Sequence, residues 1–295
     1  MTEFDLRVDA LTGHRVVIAG GRQKRPNLPT TDCPFCVGGT EAPDPYDVRW
    51  FVNRWPAIPD GRAEVILYAP DHDASFWSIG VESVEHVVAL WAQRTVELGA
   101  RDDVAYVLAF ENRGPEVGAT IAHPHGQIYA FPEVPEAVHR EFSRPACALC
   151  DRAASAAEDD RTIVDSPTWR AAVPEAASWP YELLIAPRGH VPDLADAAAA
   201  LRDLAAVLVG ALQKLDLLFD APMPYMLWVH QRPTDGGEWP MAHVHVHIAP
   251  LLRSPGVARF VAAGELGSGV FFNPVSPEVA AEQLRAAGTR PGARS

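Results

Sequence analysis

The stretch HPHGQIYAF, residues 123–131, alternates in a two-residue rhythm, and 120 residues later the chain repeats its opening as HVHVHIAPL, residues 243–251. A period of two belongs to a β-strand, so His123, His125 and Gln127 project from one strand face, and His243, His245 and His247 from one face of another. Working backwards from each strand gives the same order of features twice. The first half runs CPFC, then EVILYAPDHDASF with His72, then GVESVEHVVALWAQRTVELG, then YVLAFENRG. The second runs CALC, then YELLIAPRGHVPDL with His190, then DLADAAAALRDLAAVLVGALQKLDLLF, then YMLWVHQRP. The offsets are 114 from Cys33 to Cys147, 118 from His72 to His190 and 120 from His123 to His243. So small a drift over so many features is an internal duplication.

Each repeat therefore predicts an apolar strand running through Ala-Pro to a histidine, a helix with apolar residues recurring at three and four, and two further strands. That is an α+β unit with a mainly antiparallel sheet, present in tandem as residues 1–135 and 136–295. A chain of 295 residues can bury a large core. Its formal charge of −13, from 38 acidic and 25 basic residues, sets its field against nucleic acid and anionic membranes. Any phosphate it binds must meet a local cationic patch. The opening MTEFDLRVDALTG lacks the basic-then-apolar order of a signal peptide, and no apolar run approaches the roughly 18 residues of a membrane span, so the expected location is the cytoplasm.

All four cysteines lie in two C-x-x-C pairs, Cys33 with Cys36 and Cys147 with Cys150. The turn-forming residues around CPFC suit a thiolate knuckle in a loop better than a redox pair between strand and helix. A closed zinc site takes four thiolate or imidazole ligands. Cys33, Cys36, His72 and His123 supply one set if the strands bearing the histidines are neighbours; Cys147, Cys150, His190 and His243 supply the other.

His125 then stands one step along the strand face from a metal-anchored neighbour. An imidazole becomes a nucleophile when one nitrogen donates to a fixed acceptor, which leaves the lone pair on the other. On this reading Gly126 opens a gap through which a phosphate approaches the backbone, and Gln127 offers its amide to a phosphoryl oxygen.

The segment ENRGPEVGATIAHPHGQIYAF resembles the active-site segment of the galactose-1-phosphate uridylyltransferases, members of the histidine-triad superfamily with two triad-like units in one chain. The resemblance extends from RQKRP through CPFC, FVNRWPA, APDH and HPHGQ to LLRS and PEVAAEQLR. It implies a ping-pong reaction in which a histidine, matched by His125, takes the uridylyl group of UDP-glucose, releases glucose 1-phosphate and passes the group to galactose 1-phosphate. It also implies that Asn112, Gly118, Thr120 and Gln127 line the phosphates and hexose, that Arg22 and Arg25 hold phosphate, and that Asn53 lies on the nucleotide side. Arg259 and Phe260 match a pair that reaches the site, in some members from the partner subunit of a homodimer.

This chain departs from the better-known members, whose second half lacks the C-x-x-C pair and carries an iron-type site of one glutamate and three histidines. Glu136, His230, His245 and His247 are the candidates for that site, but the internal repeat favours a second zinc. The second C-x-x-C and the tail resemble a related plant branch with ADP-glucose phosphorylase activity, which has serine where this chain has Gly126; the glycine favours a hexose 1-phosphate acceptor. The expected activity is therefore uridylyl transfer. A nucleoside-diphosphate-sugar phosphorylase is the nearest alternative, and a non-catalytic, zinc-stabilised nucleotide-binding protein the alternative from another class.

Overall fold

The computed structural model of the chain describes residues 5–20, 33–153 and 160–288. Arg22 and Arg25 lie outside the described residues. The strands are β1 (Leu6–Val8), β2 (Arg15–Val17), β3 (Arg49–Val52), β4 (Ala63–Leu67), β5 (Tyr106–Arg113), β6 (His125–Phe131), β7 (Thr162–Asp165), β8 (Trp169–Ala172), β9 (Leu183–Pro187), β10 (Tyr225–His230), β11 (His245–Pro250), β12 (Leu252–Ser254) and β13 (Val257–Ala258). The α-helices are α1 (Gly80–Gly99), α2 (Glu136–Phe142), α3 (Ala148–Ala153), α4 (Leu201–Leu218), α5 (Ala263–Ser268) and α6 (Pro277–Ala286).

Nine strands form one sheet in the order β3-β4-β6-β5-β10-β11-β9-β8-β7, and every neighbouring pair is antiparallel. The two halves meet at β5 and β10, where Phe110 faces Trp228 and Asn112 faces Met226. Outward from that seam the order β5-β6-β4-β3 is answered by β10-β11-β9-β8. The duplication read from sequence thus becomes a pseudo-twofold, and the sheet runs unbroken through it.

The two faces of the sheet differ because the alternation differs. On β6, Gly126, Ile128 and Ala130 are buried, while His125, Gln127, Tyr129 and Phe131 take the other face. The buried face meets α1 and α4. Val84, Val87, Val88, Trp91 and Leu98 of α1 and Leu204, Leu208, Ala211, Leu212 and Leu215 of α4 join Ile66, Ile128, Val246 and Ile248 in one apolar cluster. Those helix positions recur at three and four, the stripe that the sequence predicts. Each such side chain contributes about 1.5–3 kcal/mol when fully buried, so this layer holds the sheet rigid. Helix α4 begins later than the long alanine-rich run suggests. Asp193 accepts a hydrogen bond from the Asp196 amide at 2.8 Å, which keeps that stretch in a turn, and a short 3-10 segment at Ala198–Ala200 precedes Leu201. Among the described residues no helix is long and apolar enough to cross a membrane.

Candidate functional site

The knuckle Cys33-Pro34-Phe35-Cys36 folds over the open face beside β4 and β6. These two strands are neighbours, Leu67 opposite His125, and so His72 and His123 meet the thiols. The ligand atoms of Cys33, Cys36, His72 and His123 all lie within 4.8 Å of one another. Cys36 Sγ is 3.5 Å from His72 Nδ1 and 3.6 Å from His123 Nδ1. Tetrahedral bonds of about 2.0–2.3 Å to one ion give ligand separations of this size. His123 Nε2 donates to the Ala69 carbonyl at 2.8 Å, which turns Nδ1 towards the sulfurs, and burial lowers its pKa, favouring the neutral ring a metal ligand needs. The Tyr46 hydroxyl lies 2.8 Å from the Phe35 carbonyl and 2.9 Å from that of Ala69, linking the knuckle to the strand end.

His125 Nδ1 donates to the His123 carbonyl at 2.8 Å. A carbonyl only accepts, so the tautomer is fixed and the lone pair lies on Nε2. The ring meets Phe35 of the knuckle edge-on, with centroids 5.1 Å apart. His125 lines a cleft of about 410 Å³ with His72, Ser75, Asn112, Gly114, Ala119 and His123 among its walls. Gly118, at φ 87°, ends the short 3-10 turn Pro115–Val117 that shapes one wall, and Thr120 follows it before the histidines. Gln127 shares the His125 face. Asn53 lies just past β3, its side-chain oxygen accepting from the Trp55 amide at 2.9 Å, and is not among the residues lining this cleft.

Gly126 is not where the sequence reading put it. Its missing side chain would point into the helix layer and away from the His125 face. A Cβ there would stand 2.9 Å from Tyr68 Cζ and closer still to the Tyr68 hydroxyl. The gap is filled by Tyr68 and opens no path for a phosphate.

The second half brings together two groups where the sequence reading asked for one or the other. Cys147, Cys150, His190 and His243 converge within 4.8 Å, with Cys147 Sγ 3.2 Å from His243 Nδ1 and Cys150 Sγ 3.4 Å from His190 Nδ1. Burial, with His190 beside it, pushes His243 down to about 4. The other group is His230, His245 and His247 with a glutamate, and the glutamate is Glu141 rather than Glu136. Glu136 is exposed and faces Arg140 at 3.7 Å. Glu141 Oε2 stands 2.7 Å from His230 Nδ1 and 3.3 Å from His245 Nε2, and Oε1 lies 3.9 Å from His247 Nε2. Burial alone would raise the Glu141 carboxyl, but the His230 and His245 imidazoles beside it outweigh burial and hold it well below the usual range. His247 Nε2 is buried without a hydrogen-bond partner among the described residues. An orphaned imidazole nitrogen beside a carboxylate and two more imidazoles fits a cation.

Arg259 does not reach the His125 cleft within this chain. It is buried against Glu265, with its guanidinium 4.4 Å above the Trp179 ring, and Phe260 next to it is 80% exposed. Glu141, Tyr46, Phe35 and Tyr68 are the residues the sequence reading missed. For Glu141 a signal existed, because it lies on the stripe marked by Val138 and Phe142, the buried residues of α2.

The family model described as galactose-1-phosphate uridyl transferase, N-terminal domain, matches residues 54–135, and the corresponding C-terminal domain matches residues 137–290. The chain is 35% identical to the galactose-1-phosphate uridylyltransferase of Thermotoga maritima, across 96% of this chain and 98% of that protein. A solved uridylyltransferase, 27% identical, superposes with a TM-score of 0.86 over 96% of this chain and 97% of its own. An ADP-glucose phosphorylase from Arabidopsis thaliana with bound ADP-glucose, 26% identical, gives 0.74 over 96% and 98%. With an imidazole of fixed tautomer in the wall of a cleft, these likenesses define the class as a nucleotidyltransferase. The chain belongs to the galactose-1-phosphate uridylyltransferase family.

Proposed function

We propose that the protein transfers a uridylyl group from UDP-glucose to galactose 1-phosphate through His125. The observation that carries this is the 2.8 Å hydrogen bond from His125 Nδ1 to the His123 carbonyl in the wall of the cleft. His125 Nε2 forms a bond to the α-phosphorus as the bond to glucose 1-phosphate breaks. An oxygen of galactose 1-phosphate then attacks the same phosphorus, the N–P bond breaks, and UDP-galactose leaves. Gln127, Asn112, Gly118 and Thr120 are proposed to hold the phosphates and hexose, with Arg22 and Arg25 supplying cationic charge and Asn53 on the nucleotide side.

The two Cys2His2 sets suit zinc, whose role in such closed sites is to fix the knuckle and the first histidine of the strand. Glu141, His230, His245 and His247 offer oxygen and nitrogen donors that suit iron or zinc. We read the chain as two histidine-triad-like units, 1–135 and 136–295, in a cytoplasmic homodimer. The exposed Phe260, Leu266, Phe271 and Phe272 support a partner surface beside Arg259.

Intact mass after UDP-glucose alone is the decisive measurement. A uridylyl increment that galactose 1-phosphate discharges supports the reading, and no increment overturns it. The likeness to the ADP-glucose phosphorylase makes ADP-glucose and inorganic phosphate the substrates for a parallel arm, in which an adenylyl adduct discharged by phosphate would replace this reading with the phosphorylase one.

A further inference from the structure

The helix side of the nucleophile strand carries a group that the proposed chemistry does not use. Tyr68 is fully buried at the end of β4, and it touches the residues on both sides of His125. Its main-chain amide donates to the Pro124 carbonyl at 3.2 Å. Its side chain runs under Gly126, so close that any Cβ there would meet both Cζ and the hydroxyl. The ring has no freedom to retreat. Phe76 meets it edge-on at 4.8 Å and Trp91 at 6.2 Å, both within the apolar cluster.

The other unit lacks this wedge. Ile66 lies opposite Gly126 as Ile185 lies opposite Val246, so by register Tyr68, two residues beyond Ile66, answers to Pro187, two residues beyond Ile185. A tyrosine under a glycine in the first half stands against a proline and a valine in the second. The pair with a rigid aromatic stop occurs in the unit whose histidine faces the cleft. Near that stop lie Glu111 and Tyr225, with the Tyr225 hydroxyl donating to Glu111 Oε1 at 3.1 Å, while Tyr68 Oη and Glu111 Oε2 are buried without hydrogen-bond partners among the described residues. Two orphaned oxygens, one from the end of β4 and one from β5 on either side of the nucleophile strand β6, are a cost that a purely structural core avoids.

We infer that Tyr68 is a positioning residue for the nucleophile, bracketing His125 through the Pro124 carbonyl and the bare Cα of Gly126 and so fixing the height at which the imidazole enters the cleft. The inference rests on the uridylyl-transfer reading for its assay. Because the wedge touches strand and not substrate, disturbing it should change the rate of His125 uridylylation and leave UDP-glucose binding alone.

The test is a double-mutant cycle on the full chain with its metals, Gly126→Ala by Tyr68→Leu, read by single-turnover adduct formation, KM for UDP-glucose, bound zinc and Tm. Gly126→Ala should slow adduct formation by at least about thirtyfold and Tyr68→Leu by at least about tenfold, each with KM within about threefold and zinc retained. In the Tyr68→Leu background the same alanine should cost at least about tenfold less, since both clashing atoms of the tyrosine have gone. Equal cost in both backgrounds, or a loss seen in Tm or zinc and not in rate, would overturn the inference. If Gly126→Ala alone does not fold, a folded and active double variant supports the wedge, and an unfolded one overturns it. A parent protein that forms no adduct instead refutes the uridylyl-transfer reading.

Discussion

The two halves of the sheet hold their second strand histidines in the same way and surround them differently. His125 and His245 each donate Nδ1 to the carbonyl two residues earlier at 2.8 Å, beside a Cys2His2 group in its own half. In the first half the neighbouring ring is Phe35, and Nε2 belongs to a histidine lining a cleft. In the second, Nε2 is 3.3 Å from Glu141, with His230 and His247 alongside. A tautomer-fixing hydrogen bond therefore does not make a nucleophile. It prepares a lone pair, and the side chains delivered around it decide whether phosphorus or a metal ion receives it.

That contrast breaks first at the histidines. His125→Ala should lower uridylyl transfer by at least about a thousandfold and abolish the mass adduct with zinc intact, whereas His245→Ala should leave adduct formation and remove the ion bound with Glu141. An adduct surviving His125→Ala would mean that the units have been assigned the wrong way round. Gln127→Ala should cost about a hundredfold in kcat through the lost phosphoryl contact, and a change under threefold would make it packing.

Metal analysis sharpens the comparison further. Three groups imply about three ions per chain. Cys33→Ser and Cys147→Ser should each remove one zinc, but only Cys33→Ser should also slow adduct formation, because its cluster anchors His123 and the strand that aims His125. Glu141→Ala should remove the third ion where Glu136→Ala removes none. Elemental analysis of the four variants checks both statements, and a zinc count indifferent to Cys147→Ser would discard the second knuckle.

The smallest effect concerns Glu111, whose carboxyl is pushed up to about 8, chiefly by burial. Its folded-state value lies above the unfolded one, so the folded chain binds more protons between the two. Stability from this group is fully present below the ordinary carboxylate range and lost as pH rises through about 8. Glu111→Gln should flatten that decline; Gln231, the buried glutamine on β10's side of the seam, gives no slope to remove. Thermal melts between pH 5 and 9 would show it, each kcal/mol being worth about 2–4 °C in a chain of this size.

The Glu136 and Gly126 readings failed for definable reasons. Glu136 and Glu141 are five residues apart on α2, which turns them about 140° from each other, so only the docking of the helix by Val138 and Phe142 selects between them. At Gly126 the strand alternation itself pointed to the helix side, but the substance filling that side comes from Tyr68, a contact between strands that alternation does not encode.

The sequence by itself determined what repetition and periodicity carry: an antiparallel α+β duplication, two thiolate knuckles with their histidines, and His125 on the same strand face as Gln127. These follow from residue types at fixed spacing, because strand period, helix stripe and ligand chemistry are local rules. Tertiary structure alone decided that both halves share one nine-stranded sheet, that Glu141 closes a third ligand group, that Tyr68 wedges beneath Gly126 and that Arg259 turns to Glu265. Each of these depends on which surfaces pack together, and packing is chosen by the shape and burial of the whole chain rather than by the spacing within any one stretch.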